Sequence, residues 1–305
     1  MKRLCNCIVF TIFIALLLPT GVRAAQLLIP GGQVIGLQLH SDTLTVAAFD
    51  DALGSAAKDT GLRIGDEILA INGQEVHSAQ EVRAALEAAG RSVDITLRRK
   101  TKTQTLTVTP LATSEGPRLG VYLKQGIAGI GTVTWYDPST GVFGTLGHGV
   151  NDSNGNLTRL TAGSAFPAEI LSVKKGACGD PGQLKGNADT GYICGALIRN
   201  TPQGVFGTFR QGIPGEPLPI AEYGEISPGT ATIRSTVAGN TVQEYSVEIL
   251  KIYPEDKPDC RNFLLKVTDP ALLSATGGIV QGMSGSPIIQ DGKLVGAVTH
   301  VCVFG

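Results

Sequence analysis

Short runs in which apolar and polar residues alternate, each closed by glycine, proline, asparagine or aspartate, recur along most of this chain. Period-two alternation of that length predicts half-buried strands separated by turns. Residues 34–39 read as a strand entered through Pro30-Gly31-Gly32, and residues 44–48 as a second. A short helix begins at Ser55-Ala56-Ala57 and stops at Gly61. Residues 64–73 read as strand plus turn, where Asn72-Gly73 supplies the positive φ values the turn needs. Ser78 is the expected N-cap of a helix over 79–88, apolar at Val82, Ala85 and Leu86 and closed by Gly90. Residues 93–97 and 103–108 alternate again. Beyond a polar stretch at 113–117, further runs fall at 119–123, 131–136, 168–173, 190–197, 231–237, 245–252 and 263–267. Without a long amphipathic helix among them, so many short strands predict two packed sheets or barrels.

The leading residues follow another pattern. Lys2 and Arg3 precede an apolar run over 8–18, then Pro19 and Val22-Arg23-Ala24-Ala25. Basic start, short apolar run and small-residue site are the parts of a secretory signal. Residues 7–22 carry no charge, so 1–25 serve either as a cleaved signal peptide or as a retained membrane anchor. Both imply export.

Composition narrows the function. A chain of 305 residues with 42% hydrophobic content can build two domains with their own cores. A net charge of −1 gives no footprint for nucleic acid or an anionic membrane, and 5% aromatic content offers no stacking surface. Gly 40 and Pro 16, without a collagen period, fit a turn-rich β protein. Cys178, Cys194, Cys260 and Cys302 remain in the exported part, and their three pairings stay open. Cysteine and histidine spacing gives no metal site, and no cofactor is expected.

Chemistry concentrates at Gly282-Met283-Ser284-Gly285-Ser286-Pro287, a glycine turn between residues 279–281 and the strand-like 293–298. Glycines on both sides let the backbone fold sharply, exposing the Ser284 hydroxyl beside N–H groups that could hold an oxyanion. The loop resembles the Gly-x-Ser-Gly-x-Pro loop of chymotrypsin-like serine peptidases. A base must come from four histidines. His40 and His77 lie far upstream, and His300 lies on the strand leaving Ser284. His148, in Gly147-His148-Gly149, is the better placed base. For the carboxylate that orients it, Asp152, Asp180, Asp189, Asp259 and Asp269 all stand open on spacing alone.

Two resemblances extend this reading. Residues 28–110, through Gly36-Leu37, Gly61-Leu62, Gly65-Asp66, Ile68-Leu69, Asn72-Gly73 and the helix of Val82, resemble a PDZ domain, though the usual proline before the Ala-Ala helix start is missing. That resemblance implies a groove for an extended peptide or chain end, lined by Ile35, Gly36, Leu37, Ser78 and Val82. Residues 111–117 then form a linker, and 118–305 a peptidase domain. Trp135-Tyr136-Asp137-Pro138, Phe143-Gly144, Leu146-Gly147-His148-Gly149, Val173-Lys174-Lys175-Gly176, the Ser284 loop and Gly296-Ala297-Val298-Thr299-His300-Val301 resemble the SpoIVB peptidase family of sporulation serine peptidases.

The family resemblance implies a mainly β chain, an N-terminal PDZ domain followed by a chymotrypsin-like double β-barrel. It implies a triad of His148, Asp269 and Ser284, with Gly282 and Ser284 forming the oxyanion hole. It further implies an exported endopeptidase of the forespore intermembrane space that cleaves itself and a membrane-bound regulator of an intramembrane protease, leading to sigma-factor activation. Family members usually add a loop and a strand after the segment matching 299–301, so the expectation is either a shortened chain or an open last barrel. That expectation sustains a competing reading, a non-catalytic PDZ scaffold of the spore envelope. A general envelope quality-control protease is disfavoured, because its PDZ follows the peptidase and its nucleophile loop reads Gly-Asn-Ser-Gly.

Overall fold

The computed structural model describes residues 26–152, 155–254 and 261–301. The expected signal or anchor at 1–25 lies outside them, as do Cys260, Cys302 and Asp259. Among the described residues no helix is long and apolar enough to cross a membrane.

The chain opens with β1 (Leu27–Pro30) and a 16-residue strand, β2 (Val34–Phe49). Helix α1 (Gly54–Asp59), β3 (Glu67–Ile71), β4 (Gln74–Glu75), α2 (Ala79–Ala88), β5 (Val93–Arg99) and β6 (Lys102–Val108) follow. Ser78 caps α2 as expected, its Oγ accepting from the Glu81 N–H at 3.1 Å. A small hairpin, β7 (Leu111–Thr113) and β8 (Gly116–Arg118), occupies the expected linker. It leads into β9 (Val121–Thr132), which runs antiparallel to nearly all of β2.

These two long strands thread two bodies. Leu44 and Val46 of β2 pack with Ile68, Val82, Leu86, Ile95 and Leu97 in a PDZ core, where Val121 and Leu123 of β9 also rest. The other half of β2 carries Ile35, Leu37 and Leu39 into a separate core with Phe143, Ala165 and Val205. That second core belongs to the first of two β units in the peptidase part. Its sheet adds β10 (Trp135–Tyr136), β11 (Val142–Leu146), β12 (Ala162–Lys174), β13 (Gln183–Ala188), β14 (Gly195–Thr201), β15 (Gly204–Phe209) and β16 (Leu218–Pro219).

The PDZ boundary expected at residue 28 is therefore displaced. Residues 27–40, ahead of the PDZ body, pair with strands of the peptidase part that follows it. Alternation alone does not reveal this, because a strand buried between two neighbours and one lining a groove carry the same period. Ile35, Gly36 and Leu37 have β9 on one side, opposite Gly131, Ile130 and Gly129. On the other side they face Pro167, Phe166 and Ala165 of β12. With both edges filled, this stretch offers no edge for an added peptide strand.

The second β unit is a five-stranded sheet of β17 (Gly229–Ser235), β18 (Gln243–Ile252), β19 (Phe263–Val267), β20 (Pro287–Gln290) and β21 (Lys293–Ala297), in the order β19-β18-β17-β20-β21. Helix α3 (Pro270–Thr276) follows β19. The sheet curls until the Phe263 ring on one edge strand meets Gly296 on the other, where an added Cβ would stand 3.0 Å from the ring. Among the described residues no strand pairing joins these two edges, and the sheet is open there. Ile233, Val247, Ile249, Leu272, Met283, Ile288 and Val298 fill its core.

Candidate active site

The two β units contribute different parts of the site. From the first comes His148, in the turn leaving β11. Its neighbours are pinned to the β14–β15 turn: Gly147 N–H donates to the Gln203 carbonyl at 3.0 Å and Gly149 N–H to that of Pro202 at 3.2 Å. Asn200 holds the next residue from both sides, accepting from Val150 N–H and donating to the Val150 carbonyl. The imidazole itself is exposed, and its Nδ1 meets the Gly149 carbonyl at 3.1 Å. With Nδ1–H donating there, Nε2 keeps the lone pair a general base requires.

From the second unit comes the Ser284 turn. Gly282 and Gly285 adopt φ of 98° and 97°. At Gly285 no side chain fits, since a Cβ would lie 2.5 Å from the Thr132 carbonyl. Met283 is fully buried among Val280, Ile288 and Val298 and anchors the turn in the core. Truncating a buried side chain of this size typically costs about 2–5 kcal/mol. Beyond the turn, Gly285 N–H donates to the Val298 carbonyl at 2.8 Å and Ser286 N–H to that of Met283 at 3.0 Å. The N–H groups of Gly282 and Ser284 have no hydrogen-bond partner among the described residues. Two unspent donors on either side of Met283 in one turn suit an oxyanion.

Ser286 is wholly buried and its hydroxyl is bound to that of Ser235 at 3.0 Å, which leaves Ser284 as the reactive serine of the pair. The Ser284 Oγ donates to the Thr299 carbonyl at 3.0 Å. Gly147 sits directly against it: a Cβ there would lie 3.3 Å from the Ser284 Cβ. His148 and His300 both line a cleft of about 1320 Å³, together with Asp180, Phe263 and Val298.

Asp269 holds the N-terminus of α3. Its Oδ1 accepts from Leu272 N–H at 2.9 Å and its Oδ2 from Ser246 N–H at 3.4 Å. No hydrogen bond joins His148 to either Ser284 or Asp269 among the described residues. The other described candidate carboxylates have partners of their own. Lys174 at 2.7 Å, with the Gly182 N–H, draws the Asp180 carboxyl below its ordinary range. Asp189 is exposed and closes a turn on Gly191 N–H, and Asp152 accepts from Asn156 N–H.

Of the expected peptide-binding residues, Ser78 is occupied with capping α2 and Val82 lies in the PDZ core. Ile35, Gly36 and Leu37 lie in the peptidase part, as described above. Thr132, Thr134 and Ser235, which shape the serine turn, escaped the sequence reading. Thr132 ends β9 and Thr134 lies just past it, each a polar residue flanked by glycine or apolar residues, while Ser235, between Arg234 and Thr236, carries no such signal.

No curated protein matches the chain. Family models match it twice: a PDZ domain over residues 52–99 and the SpoIVB peptidase S55 over residues 115–304, more than half of its length. With a serine turn of this construction behind a PDZ body, the chain belongs to the SpoIVB peptidase S55 family of serine peptidases.

Proposed function

We propose that this protein is an exported endopeptidase in which Ser284 is the nucleophile, His148 the general base and Asp269 the orienting carboxylate. The observation that carries the reading is the packing of Gly147 against Ser284 beside the unspent N–H groups of Gly282 and Ser284. Ser284 Oγ leaves the Thr299 carbonyl and attacks a peptide carbonyl carbon while His148 Nε2 takes its proton. The two N–H groups hold the oxyanion. Collapse expels the amine, which receives the proton from His148, and water repeats the sequence to free the enzyme. Asp269 acts by replacing the Gly149 carbonyl as acceptor for His148 Nδ1–H when substrate orders the cleft. Following the family, the substrates are the chain itself and a membrane-bound regulator of an intramembrane protease in the forespore envelope.

Peptide recognition by the PDZ body is assigned to β9 rather than β2. Asp50 N–H donates to the Gly120 carbonyl, and both polar groups of Val46 turn toward residues 65–66 beside β3. Antiparallel alternation then directs the N–H and C=O groups of Val121 and Leu123 away from β2. Among the described residues β2 alone pairs with β9, so these groups form an open edge. At one end Gln125 reaches the carbonyl of His77, just ahead of α2. An extended peptide is the natural partner for that edge.

The test compares wild type with Ser284→Ala for labelling by a fluorophosphonate probe and for self-cleavage. Both are expected in wild type and neither in the variant. A folded wild-type protein that neither labels nor cleaves itself would turn the assignment toward a PDZ scaffold.

A further inference from the structure

Thr134 lies just past β9 and is almost wholly buried. Its Oγ1 donates to the Gly285 carbonyl at 2.7 Å and accepts from the Leu146 N–H at 2.8 Å. Gly285 follows Ser284, while Leu146 ends the strand that delivers Gly147 and His148. One hydroxyl therefore ties the serine turn to the histidine strand across the junction of the two β units. Only a group that donates and accepts at once can occupy this point, and a hydroxyl does both. Thr132 makes a parallel attachment, its Oγ1 donating to the Gly282 carbonyl at 3.2 Å.

We propose that Thr134 is a positioning residue for catalysis: it sets the spacing between His148 and Ser284, and Thr132 steadies the oxyanion side of the same turn. The role rests on the assignment of Ser284 and His148 as nucleophile and base. It does not depend on which carboxylate serves His148. Thr134 touches neither reacting atom, so its effect is purely one of register. Valine has the same shape without the hydroxyl, and would leave the Leu146 N–H and Gly285 carbonyl unpaired and free to drift apart. A displacement near 1 Å between reacting groups costs on the order of 10²-fold in rate.

The matched control is Thr236, another nearly buried threonine, whose Oγ1 donates to the Gly32 carbonyl at 3.0 Å. It too links the second β unit to the β1–β2 turn, but it does not bond to the serine turn. Thr134→Val, Thr134→Ser and Thr236→Val are compared with wild type and Ser284→Ala for melting temperature and for fluorophosphonate labelling rate across pH. Thr134→Val is expected to label roughly 10²-fold more slowly at every pH. Thr134→Ser should recover most of the rate, and Thr236→Val should melt earlier yet label as wild type does. Equal labelling by Thr134→Val and Thr236→Val at a similar loss of melting temperature overturns the proposal. If Thr134→Val does not fold, Thr134→Ala is read by the same criteria. Wild type that fails to label, with its fold intact, overturns the nucleophile assignment first and this role with it.

Discussion

Gly147 and Ser284, from different β units, approach so closely that a methyl group on the glycine would sit 3.3 Å from the serine Cβ. Gly147 also has φ of 129°, a conformation side chains rarely adopt. Gly147→Ala should therefore strain the His148 turn and press on Ser284 together. The expected outcome is a fluorophosphonate labelling rate lowered by one to two orders of magnitude, ~1.4 kcal/mol in barrier for each tenfold loss. A normal labelling rate in Gly147→Ala would mean that the turn has slack here.

Asp269 has two separable jobs, capping α3 and, in the proposed mechanism, orienting His148. Asparagine caps helices about as well as aspartate, whereas alanine does not. Asp269→Asn should keep the melting temperature while lowering turnover by up to about 10⁴-fold, the loss known when a triad carboxylate becomes an amide. Asp269→Ala should lose both, with an additional stability cost of about 1 kcal/mol. If Asp269→Asn labels and self-cleaves as wild type does, capping is its whole role and the orienting acceptor is the Gly149 carbonyl.

The local pattern was far more legible than the pairing. Ser78 and helix 79–88 follow directly from a capping residue and a 3.6-residue period. Ser284 stands out because glycines flank it at both ends of a turn, and Gly282 and Gly285 do need positive φ. What the sequence concealed was long-range. Residues 34–39 and 44–48 look like two strands, yet they form one ribbon with β9 that crosses from one core to another. Thr134 shows the same limit at a single residue, since its partners Gly285 and Leu146 are joined to it only in three dimensions.

Backbone amide exchange tests the reassigned peptide edge without any ligand. Ile35 and Leu37 are held between β9 and β12 and are expected to exchange slowly. Val121 and Leu123 point their N–H groups away from β2 and should exchange faster than Tyr122 between them, whose N–H faces β2. Residue-resolved exchange by NMR gives this fast-slow-fast alternation directly. Slow exchange at all three positions would show that the β9 edge is already occupied.

Glu67 gives the fold a pH dependence of predictable sign. Its carboxylate is buried on β3, held by Arg98 and hydrogen-bonded to Asp152 in the loop beyond His148. Burial raises its pKa above 4.5, Arg98 opposes the rise, and Asp152 adds to it. An acid whose folded pKa lies above its unfolded value keeps its proton longer in the folded chain. Its stabilising contribution is complete below the unfolded value and is lost as pH rises through the folded one. Glu67→Gln removes that titration while Arg98, which is partly exposed, stays solvated. The variant's melting temperature relative to wild type should therefore climb between pH 4 and pH 7.5, by on the order of 2–4 °C for each kcal/mol relieved. Melting curves whose separation stays constant over that range would show that Glu67 titrates as an ordinary carboxylate.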